Sequence, residues 1–130
     1  MAVCGAGFCW GGRPVVTLTH VDKGTEDGKW LVDAVFTGHP AMLAIPADLE
    51  KVARPLAIAI GDRDVWMPMA QVDMAKKVLS AVDVAAEVAV YPGAGHGFCV
   101  RGDPQNSNQV QQAQEAEDYA ISWFQKHIRG

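Results

Sequence analysis

The sequence predicts an α/β protein with a mostly parallel sheet covered by helices on both faces. Short apolar runs bounded by glycine or proline recur along the chain, and stretches with apolar residues at helical spacing lie between and after them. Strands buried on both faces read as continuous apolar runs, which is how these read. At 130 residues, 49% hydrophobic and 20% charged, the chain suits one soluble globular domain with a substantial core, and it shows no internal repeat or low-complexity segment.

The first run, "MAVCGAGF", is short and apolar and is bounded by glycine, so it reads as a buried strand. A helix is expected next, yet Pro14 follows almost at once and "VVTLTH" is β-branched, so "RPVVTLTH" fits a helix or a strand. "HVDKGTEDGK" is a polar turn, its Asp22, Lys23, Glu26, Asp27 and Lys29 forming a solvated charge run. "WLVDAVFTGHP" and "RPLAIAIGDRD" are the second and third strand runs. In "PMAQVDMAKKVLSAV", Pro68 suits a first turn, and Val72, Ala75, Val78, Leu79 and Val82 recur at helical spacing. "VAAEVAVYPGAGHGF" is the fourth strand run. A closing helix is expected from Asn106 to Ile128, with Val110, Ala113, Ala116, Tyr119, Ala120, Trp123, Phe124 and Ile128 on one broad face.

Several function classes are disfavoured. The net charge is −4 and the 11 basic residues are scattered, so neither a nucleic-acid partner nor an anionic membrane surface is expected. "MAVCGAGFCW" lacks a positive n-region and is too short to span a bilayer, which points to the cytoplasm. Three cysteines without a C-x-x-C pair give neither a disulfide framework nor a zinc-ligand spacing, and no metal or cofactor is expected.

Chemistry in parallel sheets gathers beyond the carboxyl ends of the strands. After the first run stands "GAGFCWGG", residues Gly5 to Gly12. A dinucleotide-binding Gly-x-Gly-x-x-Gly started at Gly5 needs glycine where Trp10 stands, and the indole would block a pyrophosphate. The alternative is a nucleophile elbow, in which Gly7 and Gly11 flank Cys9 on a tight strand-to-helix turn and must be small to avoid collision. The third run ends in "GDRDVWMP" and the fourth in "PGAGHGF", so a nucleophile, an acid and a base follow in the order Cys9, Asp62 or Asp64, His96. That order separates α/β-hydrolase triads from the chymotrypsin and subtilisin arrangements. A free thiol is only a few per cent thiolate at neutral pH, so Cys9 needs His96 to take its proton, and His96 needs a carboxylate on its other nitrogen.

"GFCWGG", "GDRDVWMP" and "GHGFCVRGD" resemble the dienelactone hydrolase family, a cysteine-using branch of the α/β-hydrolase fold. The resemblance runs over essentially the whole chain, read as a single domain from 1 to 130, but matches only the second half of a family domain. It implies a partial α/β-hydrolase fold lacking the N-terminal strands. It implies Cys9 as nucleophile, Asp64 rather than Asp62 as acid, His96 as base, and the backbone N–H of Trp10 as an oxyanion donor. A second donor and a glutamate that holds the resting thiol would come from upstream segments, and no residue of this chain matches them. Arg101 is the candidate to bind a substrate carboxylate, although a loop arginine paired with Asp103 reads equally well. Trp66, Phe98 and Trp10 either line an apolar pocket or belong to the core. His39 in "TGHP" reads as structural, and Cys4 and Cys99 as small buried hydrophobes.

The expected function is hydrolysis of a small ester or lactone through a cysteinyl acyl intermediate, the alternative being an inactive remnant that serves as an interaction module or half of a split hydrolase. With the upstream strands missing, residues 2 to 8 would be an apolar sheet edge without lysine or proline, which predicts self-association through that strand.

Overall fold

The computed structural model describes residues 1–21, 24 and 26–128. Four parallel strands, β1 (Cys4–Phe8), β2 (Ala34–Gly38), β3 (Leu56–Gly61) and β4 (Ala86–Tyr91), form one sheet whose spatial order is the chain order. Parallel neighbours require a crossover. The connections carry α1 (Gly12–Thr17), α2 (Ala47–Glu50) and α3 (Met69–Leu79), and α4 (Ser107–Ile128) follows β4. The register pairs Phe8 with Gly38, Gly38 with Ala59 and Gly61 with Tyr91, so all four carboxyl ends open on one side of the sheet.

Alternation along the strands builds two cores. Leu56, Ile58 and Ile60 of β3 pack with Val15 and Val16 of α1, Leu49 of α2 and Val72, Ala75 and Leu79 of α3. On the other face Ala34, Phe36, Ala57 and Ala59 pack with Ala116 and Trp123 of α4. The small alanines of β3 leave room there for aromatic rings, and Phe36 meets Tyr119 edge to face at 5.7 Å.

"RPVVTLTH" resolves in favour of a helix. Pro14 lies in the first turn of α1, where an N–H would have no intrahelical partner, and Val15 and Val16 are buried, so tertiary packing outweighs the β-branched propensity. The second strand run is longer in sequence than in structure: Trp30 makes only an isolated bridge with Gly24, and β2 begins at Ala34. Helix α2 leaves no periodic signal because it is only 4 residues long. Helix α4 begins one residue after Asn106, whose side-chain oxygen accepts the N–H groups of Asn108 and Gln109. The broad apolar face expected of α4 is only partly covered, with Ala116 and Trp123 buried and Val110 and Ile128 exposed. In the polar turn Glu26, Asp27 and Lys29 are exposed, while Asp22 and Lys23 lie outside the described residues.

Strand β1 forms one edge of the sheet, with Val3 and Phe8 exposed beside it. Among the described residues no helix is long and apolar enough to cross a membrane.

Candidate active site

The elbow forms where β1 meets a 3₁₀ turn, Cys9–Gly11, that runs into α1. Cys9 has φ 56°, the left-handed region that a non-glycine residue occupies only when its surroundings hold it there. A Cβ on Gly7 would run into the Gly11 carbonyl, and one on Gly12 would lie 2.8 Å from both Pro40 Cα and Thr37 Oγ1. Gly11 itself has open space around a built Cβ, so the steric demand falls on Gly7 and Gly12 and not on Gly11 as the elbow pattern suggested.

His96 comes from the loop after β4, and its Nε2 lies 3.0 Å from Cys9 Sγ. Its Nδ1 lies 2.9 Å from Asp64 Oδ2. The other oxygen of Asp64 accepts the backbone N–H groups of Trp66 at 2.7 Å and Met67 at 3.2 Å, so the carboxylate is buried and fully engaged. Asp62 is engaged elsewhere, its Oδ1 accepting the N–H of Gly93 at 2.8 Å and tying the loop after β3 to the loop after β4. The N–H of Arg63 donates to Ala94 at 3.0 Å in the same seam. Gly61 permits that seam, since a Cβ there would run into the Ala94 carbonyl. The two loops are thus stitched together by backbone contacts, and His96 and Asp64 face each other as a consequence.

Arg101 sits one tight turn beyond His96, its N–H donating to Gly97 O at 2.7 Å, with Gly97 in the left-handed region. Its Nη2 reaches 3.5 Å from Cys9 Sγ, a placement at the thiol and not at Asp103. The Trp66 ring lies 5.9 Å from the His96 ring and is half-exposed, and Trp10 is 70% exposed beside the elbow. Phe98 is largely buried against Tyr91 at 4.8 Å and His39 at 5.8 Å, and it also lines a cavity shared with His96 and Arg101.

His39, read from sequence as structural, is fully buried, and its ring lies 5.2 Å from that of His96. The sequence signal for this placement was position alone: a histidine at the end of the strand next to the elbow. Cys4 and Cys99 are half-buried rather than enclosed.

The electrostatics separate these groups. The Cys9 thiol is held below the ordinary range by its hydrogen bond to His96, with further help from the Trp10 N–H and Arg101 against a smaller desolvation. Burial works against the charged form of His96, but the hydrogen bonds to Cys9 and Asp64 outweigh it and raise its pKa. Both shifts favour a thiolate facing an imidazolium. Burial pushes the Cys99 thiol up to about 12 and also raises Cys4, so both favour the neutral thiol, unlike Cys9. Burial, reinforced by the neighbouring His96, lowers His39 to about 4 and keeps it neutral.

An open parallel sheet with a strained cysteine at the first strand end, hydrogen-bonded through histidine to a buried aspartate, is the pattern of an α/β-hydrolase. A solved structure described as "Putative Dienelactone Hydrolase" from Klebsiella pneumoniae superposes with TM-score 0.74 at 22% identity, covering 93% of this chain and 50% of that one. Esterase 2 of Thermogutta terrifontis superposes with TM-score 0.65 at 16% identity over 92% of this chain and 55% of that one. Among curated relatives, hydrolase tropI of Talaromyces stipitatus is 31% identical over 124 residues, which is 95% of this chain and 45% of the relative. A Yersinia pestis protein named "Putative carboxymethylenebutenolidase" is 28% identical over 123 residues, 93% of this chain and 45% of its own length. The dienelactone hydrolase family model matches residues 2–128, and the chain belongs to that family. It spans about half the length of the curated relatives it matches.

Proposed function

We propose that the chain carries the reacting half of a cysteine-dependent hydrolase of small esters or lactones. The hydrogen-bonded line Cys9–His96–Asp64, with legs of 3.0 and 2.9 Å, is the observation that supports this reading most. In the proposed reaction the Cys9 thiolate attacks the substrate carbonyl, and the N–H of Trp10 donates to the oxygen that gains charge. The tetrahedral intermediate collapses to a cysteinyl acyl ester as the C–O bond breaks, and His96 gives its proton to the leaving oxygen. Water then attacks the acyl carbon while His96 takes its proton, and the C–S bond breaks, releasing the acid and restoring the thiolate–imidazolium pair. Asp64 keeps Nδ1 protonated and stabilises each imidazolium. Arg101 lies where its planar fork could hold a substrate carboxylate beside the sulfur, and half-exposed Trp66 offers an apolar wall. Three free thiols suit the reducing cytoplasm.

A second reading rests on β1, an apolar strand at the sheet edge. In it the chain is one part of a hydrolase, or an inactive interaction module, and associates with itself through that edge. Release of nitrophenol from a nitrophenyl ester, measured across a size-exclusion profile, tests both. Turnover lost in Cys9→Ala supports the hydrolase, and its restriction to the dimer fraction supports self-association. No Cys9-dependent turnover in any fraction would overturn the hydrolase reading, and a monomer at tens of micromolar would overturn the edge contact.

A further inference from the structure

His39 stands where the chain is held most tightly around the candidate site. Its φ is 35°, a left-handed value that a residue before proline does not readily adopt. Two backbone hydrogen bonds impose it: the N–H of His39 donates to Ala59 O at 2.7 Å, at the end of β3, and the N–H of Ala41 donates to Cys9 O at 2.8 Å. One three-residue segment therefore fixes His39 relative to the nucleophile and to the strand that leads to Asp64. Strain of this kind survives only where the surroundings determine it.

The ring is fully buried, and neither of its nitrogens has a hydrogen-bond partner among the described residues. A buried imidazole without partners costs stability that an aliphatic side chain of similar volume would not. Its contacts are with rings: His96 at 5.2 Å and an interplanar angle of 72°, Phe98 at 5.8 Å and Phe8 at 5.8 Å. The Trp66 ring also approaches His96, at 5.9 Å. The base thus has two flat neighbours, one buried and the other half-exposed. The charged and titratable groups acting on His39 are His96, Asp64 and Arg101.

We propose that His39 is a positioning residue for His96, its flat ring fixing the plane of the base so that Nε2 stays on Cys9 while Nδ1 stays on Asp64. This rests on the reading of Cys9, His96 and Asp64 as a reacting unit. Rotation of His96 about its side-chain bonds would separate one or both hydrogen bonds, and an edge-to-face ring contact opposes it directionally where an aliphatic contact does not. An imidazole is the smallest flat ring available, which suits a fully enclosed position.

Two substitutions separate a ring contact from simple packing. His39→Leu nearly conserves volume without the ring, and His39→Phe keeps a flat ring but overpacks the site. The readouts are the pH dependence of Cys9 alkylation by iodoacetamide, mapped by mass spectrometry, and the thermal midpoint. His39→Leu should fold with a midpoint near that of the parent, yet alkylate at neutral pH about 10-fold more slowly, with the profile displaced toward that of an ordinary thiol. His39→Phe should melt lower and yet keep alkylation within about 3-fold of the parent, provided the ring still meets His96. Reactivity and stability then move in opposite order, which a purely structural role cannot produce. An unchanged profile in His39→Leu, or a decline in both variants that follows their loss of stability, would overturn the proposal. His96→Ala is the control: if it leaves the Cys9 profile unmoved, the reacting-unit reading falls and this proposal with it, whereas a shifted His96→Ala beside an unshifted His39→Leu removes the role of His39 alone.

Discussion

His96 and His39 are the same side chain 5.2 Å apart, and their surroundings drive them in opposite directions. His96 has a partner on each nitrogen and its pKa rises; His39 has none and burial takes it down to about 4. Desolvation acts on both. Hydrogen bonds to Cys9 and to a fully engaged Asp64 reverse its effect at His96, so what distinguishes the two imidazoles is the pairing of their nitrogens and not their residue type.

The largest test of that contrast is His96→Ala, which should lower Cys9-dependent nitrophenyl-ester turnover about 10⁴-fold or more, as loss of a triad histidine does elsewhere. Turnover within 10-fold of the parent would mean that His96 is no more engaged in chemistry than its neighbour. Asp64→Asn should follow, with a loss of about 10²–10⁴-fold, because a neutral amide no longer stabilises the imidazolium and can present its NH₂ to Nδ1, favouring the wrong tautomer. It should also make His96 behave more like His39, lowering its pKa in an NMR titration of the ring protons. A rise would contradict the assigned partner.

The two histidines also predict opposite effects of pH. His39 binds a proton in the unfolded chain below about 6.5 but in the folded chain only below about 4, so acidification between these values favours unfolding, by on the order of 3 kcal/mol in total. His39→Leu should remove that slope from thermal melts taken between pH 4 and 6.5. His96, raised on folding, stabilises the fold fully below the ordinary histidine range and loses that contribution as pH rises through its folded value. Turnover should therefore rise as Cys9 ionises below the usual thiol range and fall as His96 deprotonates above the usual histidine range. A single ascending limb at the ordinary thiol pKa would deny the ion pair. The smallest expected effect concerns the other thiols: brief iodoacetamide treatment at neutral pH should modify Cys9 first, with Cys99 and Cys4 reacting only after unfolding. Early labelling of Cys99 would show that burial does not protect it.

Much of this molecule is legible in its residues. Apolar runs bounded by turn residues located all four strands, and the helical spacing of Val72, Ala75 and Leu79 located α3, because burial on a sheet leaves a periodic record in the chain itself. Cys9 and His96 stood out because each follows the carboxyl end of a strand run, where parallel sheets gather their chemistry. Other features left no such record. "RPVVTLTH" has the composition of either element and became a helix because Val15 and Val16 find a core, and Val15 fits against the bare backbone of Gly5. Asp62 and Asp64 were equivalent in the residues alone, and family resemblance supplied the preference; their separate roles depend on a loop that brings Gly93 to Asp62 and His96 to Asp64 from a distant part of the chain. The closeness of His39 to His96 follows from strand order and a strained turn, neither of which the local sequence encodes. The sequence by itself determined which segments must be buried and which side chains could react, because those follow from hydrophobicity and side-chain chemistry. Whether His96 meets its carboxylate and thiol at hydrogen-bond distance was decided only by the tertiary structure, because contacts of about 3 Å depend on how distant loops are brought together.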